Sequence, residues 1–226
     1  MADSLPLFPL QAVLLPGANL PLHIFEPRYR QLTVDLVTGT LPERRFGVIA
    51  MKPSTDHEVT DIAQLREIGC SAALRQATRL PDGRYDIIST GDQRFRLLDL
   101  DTTSAPYLVG TIEWVPDTEQ SQAAAESVSM LTAAARSAHR RYCTAAWQRE
   151  DWSEPADDMA VRELAHTLAA DCLLTMEDKQ HLLEETRPLH RLRLIGKLLN
   201  REAGLLSALR AVPAPPSEFN TKFSLN

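Results

Sequence analysis

An acidic, a basic and an aromatic side chain lie close together in the run Glu26-Pro27-Arg28-Tyr29. Together they could line a surface groove that binds an extended peptide or a protein partner. A structural explanation is also available, in which Glu26 caps a helix, Tyr29 packs inward and Arg28 pairs with a carboxylate, because Pro27 marks a helix start. Glu26, Arg28 and Tyr29 are therefore the predicted binding residues, with the structural explanation as the alternative.

The histidines and the arginine clusters favour structural roles over catalysis. His23 lies between two apolar residues, which is typical of a packed or capping histidine. Residues 139–141 (His-Arg-Arg) and 190–193 (His-Arg-Leu-Arg) could bind phosphate, because the arginine fork matches phosphate oxygens. A solvated helix face that neutralises carboxylates fits the acidic total better. His57 has no second histidine four residues on, which excludes the helical zinc-protease motif.

Neighbouring carboxylates and the cysteines also lack a catalytic or metal-binding arrangement. The pairs Asp157-Asp158 and Glu184-Glu185 are adjacent in sequence and so point apart on a helix, where dipole complementation and solvation explain them. The three cysteines stand at 70, 143 and 172, without a CxxC pair or a histidine at metal-ligand spacing. We predict reduced thiols, no catalytic residue, no metal and no cofactor.

The composition is that of an ordinary globular protein, with 44% hydrophobic and 24% charged residues in 226. The net charge of −6 argues against a nucleic-acid partner, which would require a basic face. No apolar run is long enough to span a membrane, and the proline-broken N-terminus is a poor signal peptide without Lys or Arg before Arg28. These features predict a cytoplasmic protein with no membrane partner.

The elements that must position Glu26, Arg28 and Tyr29 are short strands and one helix. Three apolar runs with five prolines before Arg28 predict short, edge-like or bulged strands. A helix follows over about 27–38 and stops at Gly39. Further strands are predicted over 45–51, 62–78, 84–90, 94–100 and 107–115, with a hairpin turn at Pro81-Asp82-Gly83. Many short strands with such turns indicate a small closed or nearly closed antiparallel barrel.

Helical periodicity replaces strand alternation after Pro116. Helices are predicted to start near Asp117, Pro155, Thr175 and Pro188 and to pack as a bundle. The predicted organisation is a barrel with one helix over 1–116, a helical bundle over 117–210 and a disordered tail over 211–226.

Several of these segments resemble one known family, the N-terminal substrate-binding domain of the ATP-dependent protease Lon, in its stand-alone bacterial form. The resemblance extends from about Leu5 to Leu206 and implies an α+β fold, a PUA-like antiparallel β-barrel followed by a C-terminal α-helical bundle. The segments that carry it are Leu5-Pro6-Leu7-Phe8-Pro9-Leu10, Val13-Leu14-Leu15-Pro16-Gly17, Leu20-Pro21-Leu22-His23-Ile24-Phe25-Glu26-Pro27-Arg28-Tyr29, Ile68-Gly69-Cys70, Pro81-Asp82-Gly83-Arg84-Tyr85, Gly91-Asp92-Gln93-Arg94-Phe95-Arg96 and Lys179-Gln180-His181-Leu182-Leu183-Glu184.

The resemblance implies a non-catalytic module that engages unfolded polypeptide or a protein partner, with a link to ATP-dependent proteolysis. Lon's ATPase needs a glycine-rich phosphate loop, and Gly196-Lys197 is followed by Leu198 without a glycine five residues earlier. A chain of 226 residues also leaves no room for Lon's Ser–Lys peptidase domain. A sheet edge, or a cleft between barrel and bundle, is the expected peptide site. The alternatives are an RNA-binding PUA-like module and a hydrolase with an unrecognised site.

Overall fold

The computed structural model of the protein describes residues 2–53, 58–118, 125–146, 152 and 154–209. The chain divides into two compact units. The first, called here the sheet unit, comprises Met1–Glu119 and Thr175–Arg187. The second, the helical unit, comprises Gln120–Leu174 and Pro188–Asn226. The predicted tail over 211–226 lies outside the described residues.

A six-stranded mixed sheet forms the sheet unit, in the order β2-β5-β4-β3-β1-β6 with an additional pairing of β5 with β6. The N-terminal half of β5 pairs with β2, and its C-terminal half pairs with β6. The strands are β1 (Asp3–Leu10), β2 (Asn19–Ile24), β3 (Arg45–Ala50), β4 (Ile68–Arg79), β5 (Tyr85–Asp101) and β6 (Val109–Trp114).

The predicted α+β class is confirmed, but the prediction of a closed or nearly closed antiparallel barrel is wrong, because the sheet is mixed. β1 and β3 run parallel, with Leu7 beside Gly47 and Leu10 beside Ala50. Parallel pairing is possible because β2 and a helix lie between these strands, and a long connection can cross over. In the part of the chain that the structure describes, β2 pairs only with β5 and so leaves the sheet with an edge.

The long strand β5 replaces the two separate strands predicted on either side of Gly91. A Cβ atom at Gly91 would lie 2.2 Å from the carbonyl oxygen of Leu15, so a side chain there would collide with the backbone. The glycine lets β5 continue beneath the loop that leads from β1 to β2, and this loop buries Leu14 and Leu15. Close backbone approach, rather than a strand end, explains the glycine.

The first helix, α1, spans Pro27–Thr38. Pro27 occupies the first turn, and Gly39 ends the helix at φ 81°, a left-handed conformation that glycine adopts without strain. Tyr29, Leu32 and Leu36 are buried on its inner face. The start of α1 is therefore held against the sheet by its own apolar stripe.

The helix α4 (Met176–Glu184) belongs to the sheet unit, whereas the sequence analysis placed every helix after residue 117 in one bundle. The Gln180 side-chain amide donates to the carbonyl oxygen of Ile68 at 3.0 Å. Arg94 on β5 donates to the carbonyl oxygen of Glu185 at 2.8 Å, just after the helix. Leu182 and Leu183 are buried. Polar contacts with residues far away in sequence therefore determine where α4 packs.

Three helices make up the described part of the helical unit, α2 (Ala125–Ala146), α3 (Val161–Ala170) and α5 (Pro188–Leu209). α5 packs against both α2 and α3. The fully buried Arg191 of α5 donates to the carbonyl oxygen of Arg162 at 2.6 Å, and the Tyr142 hydroxyl of α2 accepts a hydrogen bond from the Leu173 amide at 2.8 Å. None of the described helices is both long enough and apolar enough to cross a membrane.

Candidate functional site

The three predicted residues surround one groove of the sheet unit, called here the α1 groove, with a volume of about 720 Å³. Glu26, Arg28 and Tyr29 all contribute to its lining. Its apolar part is formed by Phe8, Pro9, Leu22, Phe25, Met51 and Leu108. The structure thus brings the predicted residues together around a single concave surface.

Proline and strand geometry determine how these side chains are presented. The segment between β2 and α1 is extended at Glu26, whose φ and ψ are −65° and 135°. Pro27 then starts the helix, so the chain turns abruptly between Phe25 and Arg28. The helix leaves Phe25 exposed at the groove, with 61% of its surface accessible, while Tyr29 one turn later is buried.

Arg28 links the two acidic residues of the groove. Its Nε donates to Oε2 of Glu26 at 3.1 Å, and its Nη1 donates to Oε1 of Glu58 at 2.5 Å. The guanidinium carbon lies 4.8 Å from the centre of the Tyr29 ring, which is cation–π geometry. Burial acts most strongly and lowers the pKa of Arg28, but electrostatic interactions with Tyr29, Glu26 and Glu58 and the hydrogen bond to Glu26 together raise it above the ordinary value. The guanidinium therefore remains charged and is engaged by carboxylates of its own chain.

Tyr29 forms part of the groove floor. Its ring stacks on that of Phe8 with centroids 4.0 Å apart and an interplanar angle of 21°. Burial raises the pKa of Tyr29 to about 12, and the Arg28 charge opposes that rise. The phenol is therefore neutral at physiological pH and presents an aromatic surface rather than a proton donor for catalysis.

The structural explanation of the three residues is correct for two of them. Tyr29 packs inward and Arg28 pairs with carboxylates, as that explanation predicted. Glu26 occupies the N-cap position, but its side chain makes no capping hydrogen bond and binds Arg28 instead. The role of these residues in binding stays a prediction.

Phe25 and Glu58 were missed by the sequence analysis. Phe25 directly precedes Glu26, but an apolar residue before a helix commonly packs against its first turn, so exposure was not expected. Glu58 lies 30 residues from Arg28, and no local pattern connects the two. The sequence feature that could have identified Phe25 as a groove residue is its position as a single phenylalanine just before a helix start marked by proline.

His23 is exposed, contrary to the prediction of a packed or capping histidine. Its Nδ1 lies 2.7 Å from Oδ1 of Asp86 on the neighbouring strand, where both side chains contact solvent. An edge strand alternates between inward and outward side chains, and His23 falls on the outward face of β2 while Ile24 is buried. The pair adds a carboxylate close to the α1 groove, because His23 itself lines the groove.

The two arginine clusters form separate structural contacts in the helical unit. His139 is buried with its ring edge-on to Trp152 at 5.8 Å, and the neighbouring Arg140 donates to Glu154 at 3.1 Å. Arg191 is fully buried, whereas His190 and Arg193 are exposed, so only part of that cluster is the solvated helix face that we predicted. The guanidinium groups of Arg140, Arg141 and Arg191 donate to groups of the same unit, which explains these three arginines without a phosphate ligand.

The cysteines are free and buried. Burial raises the pKa of the Cys70 thiol to about 12, which makes it a poor nucleophile. Cys143 lies one helical turn after His139 with its sulfur 3.5 Å from Nε2, so the prediction that no histidine is spaced to partner a cysteine is wrong for this pair. No group of three His, Cys, Asp or Glu side chains within the described ranges is arranged to hold a metal ion.

Comparison with known proteins gives the same result as the sequence resemblance. The chain is 26% identical over 209 residues to the Lon protease of Anaeromyxobacter dehalogenans, covering 89% of this chain and 24% of that protein. It therefore spans about a quarter of the length of the curated relatives that it matches.

Two solved structures share the fold. The Lon N-terminal domain protein from Xanthomonas campestris superposes with a TM-score of 0.59 at 22% identity, covering 93% of this chain and 99% of that one. The N-terminal domain of the Mycobacterium avium complex Lon protease superposes with a TM-score of 0.62 at 18% identity, covering 87% and 98%.

The family model for the ATP-dependent protease La (LON) substrate-binding domain matches residues 4–201, which confirms the predicted resemblance. Because that match covers most of the chain, this protein belongs to the Lon substrate-binding domain family.

Proposed function

We propose that this protein is a non-catalytic, Lon-type module that binds extended polypeptide segments in the α1 groove. The observation that carries the proposal is the exposed Phe25, which stands beside the stacked rings of Phe8 and Tyr29 in a groove of about 720 Å³. A large exposed aromatic side chain at a concave apolar surface favours contact with apolar side chains of a ligand. We further propose that the bound segments are substrates of ATP-dependent proteolysis, since the matched family is named for substrate binding.

Strand β2 supports this location, because it is a sheet edge that borders the groove. Leu22, His23 and Ile24 of β2 line the groove, and a polypeptide along that edge could form backbone hydrogen bonds irrespective of its sequence. Pro21 interrupts the edge because it has no N–H to donate. Apolar contacts with Phe25 and its neighbours would therefore supply much of the binding energy.

Weak and broad recognition is the expected behaviour. Ordering a flexible chain opposes binding, so we expect a dissociation constant on the order of micromolar or weaker. We also propose that the sheet unit has a PUA-like fold and that the helices of the helical unit form a bundle.

The test is fluorescence anisotropy with a labelled, permanently unfolded protein, on the wild type and on Phe25→Ala. The variant should bind about fivefold more weakly, because full burial of a phenylalanine contributes roughly 1.5–3 kcal/mol and a ligand covers only part of Phe25. Met130→Ala is the matched control, because Met130 is similarly exposed (66%) but lies on α2 in the helical unit.

Circular dichroism should show that both variants are folded. Absence of binding by the wild type would refute the proposed function as a whole. Equal affinities for Phe25→Ala and Met130→Ala would refute only the location in the α1 groove.

A further inference from the structure

We infer that the α1 groove selects polypeptide segments in which an apolar side chain is flanked by lysine or arginine, and that it disfavours acidic segments. This inference rests on the proposed function and adds a charge preference to it. Its basis is the arrangement of Glu26, Arg28 and Glu58 at the groove.

The two carboxylates are accessible to a ligand. The side chain of Glu26 is 39% exposed and that of Glu58 is 69% exposed. Arg28 binds Oε2 of Glu26 and Oε1 of Glu58, and no described residue forms a hydrogen bond or an ion pair with the second oxygen of either carboxylate. Each of these oxygens can accept a hydrogen bond from a cationic side chain of the ligand.

Arg28 does not offer an equivalent site for an anion. Its guanidinium already donates to Glu26 and Glu58, and its flat face lies over the Tyr29 ring. One positive and two negative charges leave this cluster with a net charge of −1, and Asp86 adds another carboxylate beside His23. An acidic ligand would therefore meet a guanidinium whose charge is already compensated by two carboxylates of its own chain.

The N-terminus of α1 would ordinarily favour an anion, because its free N–H groups carry partial positive charge. Here Pro27 has no N–H, and the amides of Tyr29 and Arg30 already donate to the carbonyl oxygen of Glu26 at 3.1 and 2.9 Å. Few donors remain for an incoming carboxylate. The acidic total of the chain, −6, acts in the same direction and attracts basic segments from a distance.

The experiment uses three labelled peptides of equal length, each with a central phenylalanine flanked by arginine, glutamine or glutamate. We expect the arginine peptide to bind the wild type roughly tenfold more tightly than the glutamate peptide at low salt, since each partly exposed ion pair contributes a factor of a few. The glutamine peptide should fall between them. High salt should reduce the difference, because screening weakens exposed ion pairs.

Two variants identify the groups responsible. Glu26→Gln/Glu58→Gln should abolish the preference for arginine, because the carboxylates that pair with the ligand are absent and the net charge of the cluster changes from −1 to +1. Arg28→Gln should increase the preference for arginine, because removing the cation changes the cluster from −1 to −2. Glu113→Gln removes one exposed carboxylate on β6, outside the groove lining, and should leave the preference unchanged.

The possible results distinguish the charge preference from the proposed binding function. Equal affinities for the three peptides, or tighter binding of the glutamate peptide, would overturn the charge preference while the binding function stands. A preference that survives in Glu26→Gln/Glu58→Gln would assign it to the overall charge of the chain and overturn the role of the cluster. If neither the peptides nor the unfolded protein bind, both proposals fail.

Discussion

Replacing Arg94 should detach α4 from the sheet unit, because this arginine connects β5 to the residues around the end of that helix. Only 5% of its side chain is exposed. Its Nη1 lies 2.8 Å from the carbonyl oxygen of Glu185 and 3.4 Å from that of Leu183, while its Nη2 binds the Asp117 carboxylate. One buried guanidinium thus holds two separate parts of the chain against the strand.

The expected cost follows from what the substitution Arg94→Met leaves behind. Removing one partner of a fully buried ion pair typically costs about 3–5 kcal/mol. The Asp117 side chain is 25% exposed and can be partly rehydrated, which lowers our expectation for the loss of unfolding free energy to about 2–4 kcal/mol.

Arg96→Met is the matched control on the same strand. Arg96 is 46% exposed and pairs with Glu67 at 2.8 Å, so its removal should cost less than about 1 kcal/mol. Urea unfolding followed by circular dichroism gives the two free energies. Hydrogen exchange in α4 gives the location, because the amides over 176–184 should lose protection in Arg94→Met only. Equal losses for the two variants, or unchanged exchange in α4, would refute the reasoning.

Two further predictions concern backbone space and buried charge. Gly91→Ala should lower the unfolding free energy by more than about 2 kcal/mol, because the new Cβ would lie 2.2 Å from the Leu15 carbonyl oxygen. Gly204→Ala should instead raise it by about 0.5–1 kcal/mol, because no atom lies within 4 Å of the new Cβ. Denaturant unfolding measures both changes. Burial lowers the pKa of His139 in the folded state, so the unfolded chain, with a histidine pKa of about 6.5, takes up a proton more readily. The contribution of neutral His139 to the unfolding free energy is therefore present in full above about pH 6.5 and is lost as the pH falls below that value. Unfolding measured from pH 7.5 to 5.5 should show this slope in the wild type and in the exposed-site control His190→Gln, and a smaller slope in His139→Gln; identical slopes in all three would contradict the assignment.

Local signals predicted the elements that position the groove. The helix α1 could be predicted because Pro27 and Gly39 mark its two ends and because Tyr29, Leu32 and Leu36 follow the helical period. All of this information lies within a dozen residues. The three predicted site residues lie around one groove for the same reason, since they share one helix start.

Contacts between distant residues could not be predicted in this way. The parallel pairing of β1 with β3 depends on a crossover through α1, whereas strand alternation is the same in parallel and antiparallel pairs. The placement of α4 depends on Arg94, about 90 residues earlier, and the sequence analysis placed that residue only in a predicted strand and in one segment of the family resemblance. Glu58 likewise completes the groove from outside the run that suggested it.

The prolines of the N-terminal run have a consequence for recognition as well as for folding. A free sheet edge ordinarily accepts any extended chain, because backbone hydrogen bonds do not depend on side chains. Pro21 interrupts the edge at β2, and Pro27 removes a donor from the end of α1. Because neither proline has a backbone N–H, both weaken the backbone hydrogen bonds that a ligand of any sequence could form at the groove. Discrimination between polypeptide ligands therefore depends on side chains. Those available at the α1 groove include the exposed ring of Phe25 and the carboxylates of Glu26 and Glu58.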